Sequence, residues 1–200
     1  MTKTRIQEIV SAYLQRHPAE TERLRVFTDY LETNDELFNR KNFQGHITTS
    51  AIVFDPSHLS ILLISHKTLN RFLQPGGHFE GDNSLDASAA REVLEETGVA
   101  VEAHPDFASA DLPIDIDAHW MPANAKKQED GHWHFDFRYV FTSSHGHLFE
   151  LQEEEVSDCG WYALDSEETQ SCFGPDCWPK LRKIQSDYAP AVAGFSDSMM

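Results

Sequence analysis

A glycine-rich loop followed by a carboxylate-bearing helix is the feature that most restricts what this chain can fold into. Residues 76–99 have the sequence GGHFEGDNSLDASAAREVLEETGV. Ser84 or Asn83 can cap the start of a helix, and Gly98 stands where helices commonly end. Small and apolar residues between these ends offer a packing surface: Ala89, Ala90, Val93, Leu94 and Thr97. The pattern therefore predicts a helix over the second half of this segment.

Three carboxylates share one face of the predicted helix. Glu92, Glu95 and Glu96 stand at i, i+3 and i+4, so their side chains project in one direction. Such a cluster repels itself unless a positive charge lies over it. Mg²⁺ and Mn²⁺ prefer oxygen ligands, so the cluster predicts a divalent-metal site. A solvated acidic helix face is the alternative, but it explains neither the preceding glycines nor the arginine beside the glutamates.

The loop ahead of the helix is suited to close contact with a ligand. It contains Pro75, Gly76, Gly77 and Gly81, and its glycines can adopt positive φ and let the backbone approach a bound group. A loop of this kind leading into a carboxylate-bearing helix would hold a metal ion and a phosphate chain together. Gly76 and Gly77 are therefore candidate substrate-binding residues.

Residues 77–99 resemble the Nudix box, G-x5-E-x7-R-E-U-x-E-E-x-G-U, in which U is an apolar residue. Eight of the nine fixed positions match in register: Gly77, Arg91, Glu92, Val93, Glu95, Glu96, Gly98 and Val99. The ninth departs from the motif, because Asn83 stands where the family has its first glutamate. The strand pattern between residues 46 and 164 gives looser support to the resemblance.

The resemblance implies a hydrolase of compounds in which a diphosphate is linked to another group. The helix glutamates of this family bind divalent metal ions and help to activate water, and the residues that inherit these roles are Glu92, Glu95 and Glu96. Arg91 inherits a catalytic role as an orienting ion-pair partner. Its partner in the family is the glutamate that Asn83 replaces, and Glu80 or Asp82 could supply the missing charge.

The resemblance also implies an α/β (α+β) fold, a Nudix-type α/β/α sandwich with a mixed sheet. Helical spacing over residues 2–40, interrupted by Pro18, predicts a helical hairpin ahead of it. We expect a single domain, with an N-terminal helical extension over 1–42, a catalytic core over 43–190 and a mobile tail over 191–200. Strands are predicted near residues 47–54, 59–65, 99–102, 115–120 and 132–138, and a closing helix over 175–188.

Two of these strands alternate polar with apolar residues. The first places Asp115, Asp117 and His119 on one face, and the second places on one face the side chains of His132, His134, Asp136 and Arg138. Aromatic residues of the second strand share the opposite face. If the two strands pair, the polar faces form one patch of imidazoles and carboxylates.

This patch has three interpretations. It could be the solvated face of an antiparallel sheet, a transition-metal site built on His-x-His, or a wall of the substrate site. A solvated sheet face is the commonest single source of such alternation. Repeated His and Asp are unusual there, so we favour the last two interpretations taken together, with the substrate wall ahead of the metal site. The candidate wall residues are Asp117, His119, His132, His134 and Asp136.

The composition limits the partners of the chain. Its net charge of −17 argues against binding to a nucleic-acid backbone or an anionic membrane surface. No apolar segment is long enough to span a bilayer, and the three cysteines lack metal-ligand spacing. We therefore expect a cytoplasmic enzyme with a small diphosphate substrate, and a homodimer is left open.

Two other functions compete with a Nudix hydrolase. An isopentenyl-diphosphate isomerase-like enzyme would need a cysteine in the core of the sheet, but no cysteine precedes Cys159. A non-catalytic module that senses a nucleotide is the second alternative, and the substitution at Asn83 supports it. The intact helix glutamates favour the enzyme. An acidic segment, Glu150 and residues 153–155, loosely resembles a family loop that can join the metal site, but a charge run on a solvated loop is the simpler interpretation of any one of these residues.

Overall fold

The computed structural model describes residues 1–67, 69–108, 112–125, 128–143, 149–152, 154 and 156–188. The α-helices in these ranges are α1 (Lys3–Arg16), α2 (Arg25–Thr33), α3 (Leu85–Thr97), α4 (Glu167–Cys172) and α5 (Trp178–Tyr188). The strands are β1 (Gly45–Phe54), β2 (Ser60–His66), β3 (Arg71–Leu73), β4 (Gly76–His78), β5 (Val101–Ala103), β6 (Asp115–Met121), β7 (His132–Ser143) and β8 (Val156–Ala163). The predicted tail over 191–200 and two acidic residues, Glu153 and Glu155, lie outside the described residues.

The described strands form one mixed sheet. Its main path is β3-β2-β1-β7-β5, while β4 pairs with β1, β6 with β7 and β8 with β2. The β1–β7 pair is parallel and runs from Gly45 opposite Trp133 to Phe54 opposite Thr142; the other pairs are antiparallel. Every residue of β1 is buried, as expected for a strand in the middle of a sheet covered on both faces. The predicted mixed sheet is confirmed.

One face of the sheet packs against α1, α2 and α3. Phe135 and Phe137 of β7 contact Phe27 of α2, with the Phe27 and Phe135 ring centroids 4.4 Å apart. The hydroxyl groups of Thr49 and Ser88 lie 3.0 Å apart and join β1 to α3. The aromatic face predicted for β7 therefore forms the main core, and the N-terminal helices cover it.

The other face of the sheet is covered only in part by α4 and α5. Ile52 and Phe54 of β1 lie in a second core with Leu181 and Ile184 of α5. Helices on both faces confirm the α/β/α arrangement predicted for this chain. None of the described helices combines the length and apolar character needed to cross a lipid bilayer. The three cysteines, Cys159, Cys172 and Cys177, are free thiols.

A buried ionic network connects the terminal helices to this sheet. Asp115 of β6 accepts hydrogen bonds from Lys180 Nζ at 2.8 Å, Arg138 Nη1 at 2.8 Å and the Tyr13 hydroxyl at 3.1 Å. Glu20 pairs with the same lysine at 2.8 Å. Burial and the nearby carboxylates raise the pKa of the Tyr13 phenol well above its usual range. The network fixes α1 and α5 at the β6 edge.

Candidate active site

Helix α3 begins and ends at the residues that sequence reasoning proposed. Ser84 is the N-cap, and its hydroxyl accepts a hydrogen bond from the Ala87 backbone N–H at 3.4 Å. Gly98 ends the helix in the left-handed conformation at φ +72°, which favours a residue without a Cβ. These two ends set the helix register and therefore the direction in which the glutamates point.

Arg91 is the central cation of the candidate site. Its guanidinium donates to Glu92 at 2.9 Å, to Glu95 at 2.7 Å and to the backbone carbonyl of His78 at 3.1 Å. Its Nε lies 3.3 Å from both carboxylate oxygens of Asp82. Arg91 therefore joins the loop, β4 and two of the three glutamates.

The buried carboxylate of Glu92 lies against Gly77. A Cβ added to Gly77 would lie 2.6 Å from the carboxylate carbon and from both oxygens of Glu92. The Glu92 side chain is only 13% exposed, and burial raises the pKa of its carboxyl group to about 7, although Arg91 opposes that shift. Only glycine leaves room for a carboxylate in this position.

Glu96 is held by the neighbouring glycine. The backbone N–H of Gly76 donates to Glu96 Oε2 at 3.0 Å, and Glu96 is 3% exposed. A Cβ on Gly76 would lie 2.5 Å from Ser50 Cβ. The β4 strand is therefore packed closely between β1 and α3, with one glycine contacting each of the two buried glutamates.

The donor set suits a divalent cation with oxygen ligands. Glu92, Glu95 and Glu96 project from one helix face, and carboxylates are ligands that Mg²⁺ and Mn²⁺ prefer. Burial favours the protonated form of Glu92, and a cation beside it would stabilise the ionised form. Arg91 draws Glu92 and Glu95 towards itself. Among the described residues, one group of three possible metal ligands has its ligand atoms within 4.8 Å of one another. This group consists of three histidines and not of the glutamates.

The two predicted polar strands pair with each other. β6 and β7 are antiparallel, with Asp117 opposite Asp136 and His119 opposite His134. We call the face formed by Asp117, His119, His132, His134 and Asp136 the polar sheet face. The carboxylates of the two aspartates already form ion pairs: Arg138 contacts Asp117 at 3.0 Å and Asp136 at 3.4 Å. Asp136 also accepts hydrogen bonds from two β1 hydroxyl groups, those of Thr48 and Ser50.

Two more histidines extend this face, and sequence reasoning missed both. His46 lies in β1 directly opposite His134 of β7, and His78 lies in β4 opposite Thr48. The Nε2 atoms of His46 and His78 are 3.1 Å apart. Alternation within the sequence His46-Ile47-Thr48-Thr49-Ser50 could have identified the first histidine as a polar-face residue.

The glutamates and the histidines lie on opposite faces of β4. Gly77 faces Glu92 of α3, whereas the ring of His78, the next residue, contacts His46 on the polar side. Successive residues of a strand point in opposite directions, so adjacent residues of one short strand border both groups. The residues of the polar sheet face therefore lie together, and β4 separates them from the three glutamates of α3.

The acidic segment meets the end of the carboxylate helix. The Glu150 backbone N–H donates to the Thr97 carbonyl at 2.9 Å, and the Gln152 N–H donates to the Glu96 carbonyl at 3.3 Å. A Cβ on Gly98 would lie 2.8 Å from Glu150 Cβ. Glu150 and Gln152 are thus positioned beside the last turn of α3.

The chain thus has a mixed sheet between helical layers, with a glycine-containing strand held against a carboxylate-bearing helix by one arginine. The family model described as NUDIX domain matches residues 44–175, and the chain belongs to the Nudix family. The predicted resemblance is therefore confirmed. The match begins at residue 44, and the segment predicted as an N-terminal extension ends at residue 42.

Relatives agree with this membership. The chain is 32% identical over 171 residues to a probable DHNTP pyrophosphohydrolase from Lactococcus lactis, covering 85% of this chain and 91% of that protein. It is 35% identical over 63 residues to the phosphatase NudJ of Escherichia coli K12, covering 30% of this chain and 39% of NudJ.

Solved structures share the fold. A NUDIX-family hydrolase from Clostridium perfringens superimposes with a TM-score of 0.50 and 20% identity, covering 74% of this chain and 97% of that one. A C. elegans Ap4A hydrolase gives a TM-score of 0.50 at 13% identity, covering 70% and 96%. These two similarities concern the fold.

Family membership and the pyrophosphohydrolase relative identify the chain as an enzyme that acts on pyrophosphate bonds. Nudix hydrolases act on small-molecule diphosphate substrates and generally use divalent metal ions. The enzyme is therefore favoured over the nucleotide-sensing module.

Proposed function

We propose that this chain hydrolyses the diphosphate linkage of a nucleoside diphosphate joined to another group, or of a related compound, with Mg²⁺ or Mn²⁺. The proposal rests on one observation: the three glutamates of α3 are held in place beside β4 by hydrogen bonds. Arg91 holds Glu92 and Glu95, and the Gly76 N–H holds Glu96. Charged groups that are fixed before the substrate binds need little reorganisation during the reaction.

Glu92, Glu95 and Glu96 are the proposed metal ligands. A bound divalent ion would neutralise phosphate oxygens and lower the pKa of a coordinated water. The chain keeps these carboxylates in place by different means: burial against Gly77 for Glu92, and a backbone hydrogen bond for Glu96. Glu95 is half exposed, and its charge is balanced by Arg91. Both buried carboxylates can therefore contribute charge without a large rearrangement of the helix.

The phosphate chain is proposed to lie over β4 and the loop that connects it to α3. The space that side chains of Gly76 and Gly77 would need is filled by Ser50 and by the Glu92 carboxylate, so we propose that these glycines hold the glutamates next to the phosphate chain. Arg91 donates to the carbonyl of His78, and that contact keeps the end of β4 next to α3. The loop then presents the diphosphate to the glutamates in a fixed orientation.

The polar sheet face is proposed as a second contact surface, for the part of the substrate away from the diphosphate. The His119 side chain is 37% exposed and is within reach of a ligand. Asp117 and Asp136 pair with Arg138, so we assign them the role of positioning their neighbours. His132 and His134 lie on the same face, with Nε2 atoms 3.1 Å apart, and His119 is the histidine to which we assign the substrate contact.

The relative from Lactococcus lactis suggests the first compound to test. That protein is named as a probable DHNTP pyrophosphohydrolase, and it matches most of this chain. We propose DHNTP first, followed by nucleoside diphosphate sugars, dinucleoside polyphosphates, damaged nucleotides and coenzyme derivatives.

The test is a turnover screen of these compounds with Mg²⁺ and with Mn²⁺. Glu95→Gln serves as the inactive control, because it removes a ligand charge from a half-exposed position. We expect turnover that requires a divalent ion and releases a product with a cleaved phosphoanhydride bond. Binding of a nucleotide without turnover of any compound would instead support the sensing module.

A further inference from the structure

Three strands bring three imidazoles together on the polar side of the sheet. His46 comes from β1, His78 from β4 and His134 from β7, and one ring nitrogen of each lies within 4.8 Å of the others. The parallel pairing of β1 with β7 places His46 directly opposite His134. The antiparallel pairing of β1 with β4 then places His78 beside them. The group is therefore defined by sheet register.

The spacing of the nitrogens suits coordination to one ion. His46 Nε2 and His78 Nε2 are 3.1 Å apart. Two imidazole nitrogens bound tetrahedrally to Zn²⁺ at about 2.0–2.1 Å would lie about 3.3 Å from each other. Ordinary neutral imidazoles can also make an N–H···N hydrogen bond at this distance, so the spacing permits both arrangements.

The group lies largely inside the sheet. His46 is fully buried and His134 half-buried. The ring of His46 also lies against those of His132 and His134, with centroids 4.8 Å and 4.7 Å away. Imidazole is a ligand that transition metals bind readily through a ring nitrogen.

A fourth histidine adjoins the group with a defined tautomer. His132 Nδ1 lies 2.6 Å from the carbonyl oxygen of Asp130. A carbonyl only accepts, so Nδ1 carries the hydrogen and Nε2 keeps its lone pair. That Nε2 is 3.1 Å from His134 Nε2. A backbone carbonyl fixing the second nitrogen in this way is typical of metal-binding histidines.

We propose that His46, His78 and His134 form a transition-metal site, for which Zn²⁺ is the best fit and His132 is the adjacent fourth donor. The site is separate from the one proposed at the glutamates. A set of nitrogen ligands selects Zn²⁺, Co²⁺, Ni²⁺ or Cu²⁺, whereas carboxylates select Mg²⁺ and Mn²⁺. The two sites lie on opposite faces of β4.

An ion in this site would connect β4 to the centre of the sheet. β4 has only three residues, and it carries both glycines that contact the buried glutamates. The ligands at positions 46, 78 and 134 belong to three different strands, so a shared ion would join these strands in the folded chain. An ion that binds only the folded state also raises the free energy of unfolding by mass action.

The experiment uses the full chain, stripped of metal with a chelator and then titrated with Co²⁺ or Zn²⁺. We expect one tight Co²⁺ site with the visible absorption of tetrahedral cobalt, and a higher unfolding temperature with Zn²⁺. His46→Gln and His78→Gln should each remove the absorption and the shift in unfolding temperature. His104→Gln is the matched control, because His104 is also fully buried but lies beside His58 and Tyr188, outside the group.

Glu95→Gln separates this proposal from the hydrolase proposal. It should abolish turnover and leave the cobalt absorption unchanged. The proposal is wrong if the stripped wild-type chain shows no tight Co²⁺ site, or if the absorption survives in the folded His78→Gln variant. It is also wrong if that variant raises KM while its metal content stays that of the wild type, because the histidines would then contact the substrate directly. His78 is half-buried on a three-residue strand, so His78→Gln decides the matter if His46→Gln does not fold.

Discussion

Asp82 lies beside Arg91, with both carboxylate oxygens 3.3 Å from the guanidinium Nε. This contact explains how the chain departs from the family motif at Asn83 and still has a negative charge opposite the arginine. Asp82 precedes Asn83 by one residue. Of the two loop acids considered, Asp82 makes the contact with Arg91, and the ion pair joins the loop to α3.

We predict that Asp82→Asn lowers kcat by about 10-fold or more, because partners of metal-binding groups typically contribute that much. The Arg91–Asp82 pair is partly exposed, so the free energy of unfolding should change by only about 0–1 kcal/mol. Asn83→Glu alone should be tolerated, and in the double variant it should restore activity by returning the charge to its family position. Glu80→Gln is the matched control. A double variant as slow as Asp82→Asn would contradict this interpretation.

Glu95→Gln and Glu96→Gln should each reduce kcat by a factor on the order of 10² or more while leaving the fold intact. Each change removes one charge from the proposed metal site, and groups that stabilise transition-state charge contribute at this level. Circular dichroism checks the fold, and Glu102→Gln on β5 is the control at an exposed glutamate. Near wild-type turnover at saturating Mg²⁺ would exclude the residue concerned as a ligand. Without metal, Glu95→Gln should be no less stable than the wild type, because repulsion between carboxylates is relieved.

Gly77→Ala should reduce activity because the new methyl group would occupy the place of the Glu92 carboxylate. The added Cβ would lie 2.6 Å from that group, which is closer than a methyl carbon can approach a carboxylate without displacing it. We expect at least a 10-fold fall in kcat/KM, with the metal requirement shifted to higher concentration. Gly174→Ala is the control, since a Cβ there meets nothing within 4 Å. If Gly77→Ala and the wild type had equal kcat/KM and the same metal requirement, catalysis would not depend on the position of the Glu92 carboxylate.

The pH dependence of stability should report the burial of Glu92. Its pKa is raised by burial from the model-peptide value of 4.5 to about 7 in the folded chain, so the folded state binds more protons between these values. The contribution of Glu92 to the free energy of unfolding of the metal-free protein should therefore be largest below pH 4.5. This contribution should fall as the pH rises through 7. The upper limit of the loss is about 3 kcal/mol.

Glu92→Gln isolates this contribution. The difference in unfolding free energy between wild type and variant, measured by urea titration with a chelator present, should decrease between pH 4.5 and 7 and be flat above pH 8. A difference that increases with pH in this range would mean that the carboxylate is stabilised in its ionised form.

The sequence predicted those features of the fold that depend on local pattern. The ends of α3 follow from a capping serine and a C-terminal glycine, and the alternation in β6 and β7 placed polar and aromatic residues on the correct faces. β3 and β4 were not predicted, because each has three residues and exists through pairing with a longer strand. Helix α4 is also short and was missed.

In the candidate site, too, the sequence predicted the residues that lie close together in the chain and missed those that only strand pairing brings together. The glutamates and Arg91 were found because the whole set lies within one turn-and-helix segment. The histidine group was found only in part. His46 joins His134 through a parallel strand pair whose members are 88 residues apart in sequence. A local period cannot reveal a pairing of that kind, since parallel strands need a long crossover between them.

The final prediction concerns Arg138, which holds the buried end of the polar sheet face. Its side chain is 8% exposed and contacts three aspartates: Asp115 at 2.8 Å, Asp117 at 3.0 Å and Asp136 at 3.4 Å. Arg138→Met keeps much of the side-chain volume but leaves buried carboxylates without their cation. Removing one partner of a buried ion pair typically costs about 3–5 kcal/mol.

We therefore expect Arg138→Met to lower the free energy of unfolding by about 3 kcal/mol or more in urea titrations at pH 7. Lys180 still contacts Asp115 at 2.8 Å and offsets part of the loss at that carboxylate. Arg25→Met is the control, because the Arg25 side chain is 67% exposed and its removal should change stability by no more than about 0.5 kcal/mol. If Arg138→Met were as stable as this control, the three aspartates would have to be stabilised by their hydroxyl and lysine partners instead of by the arginine.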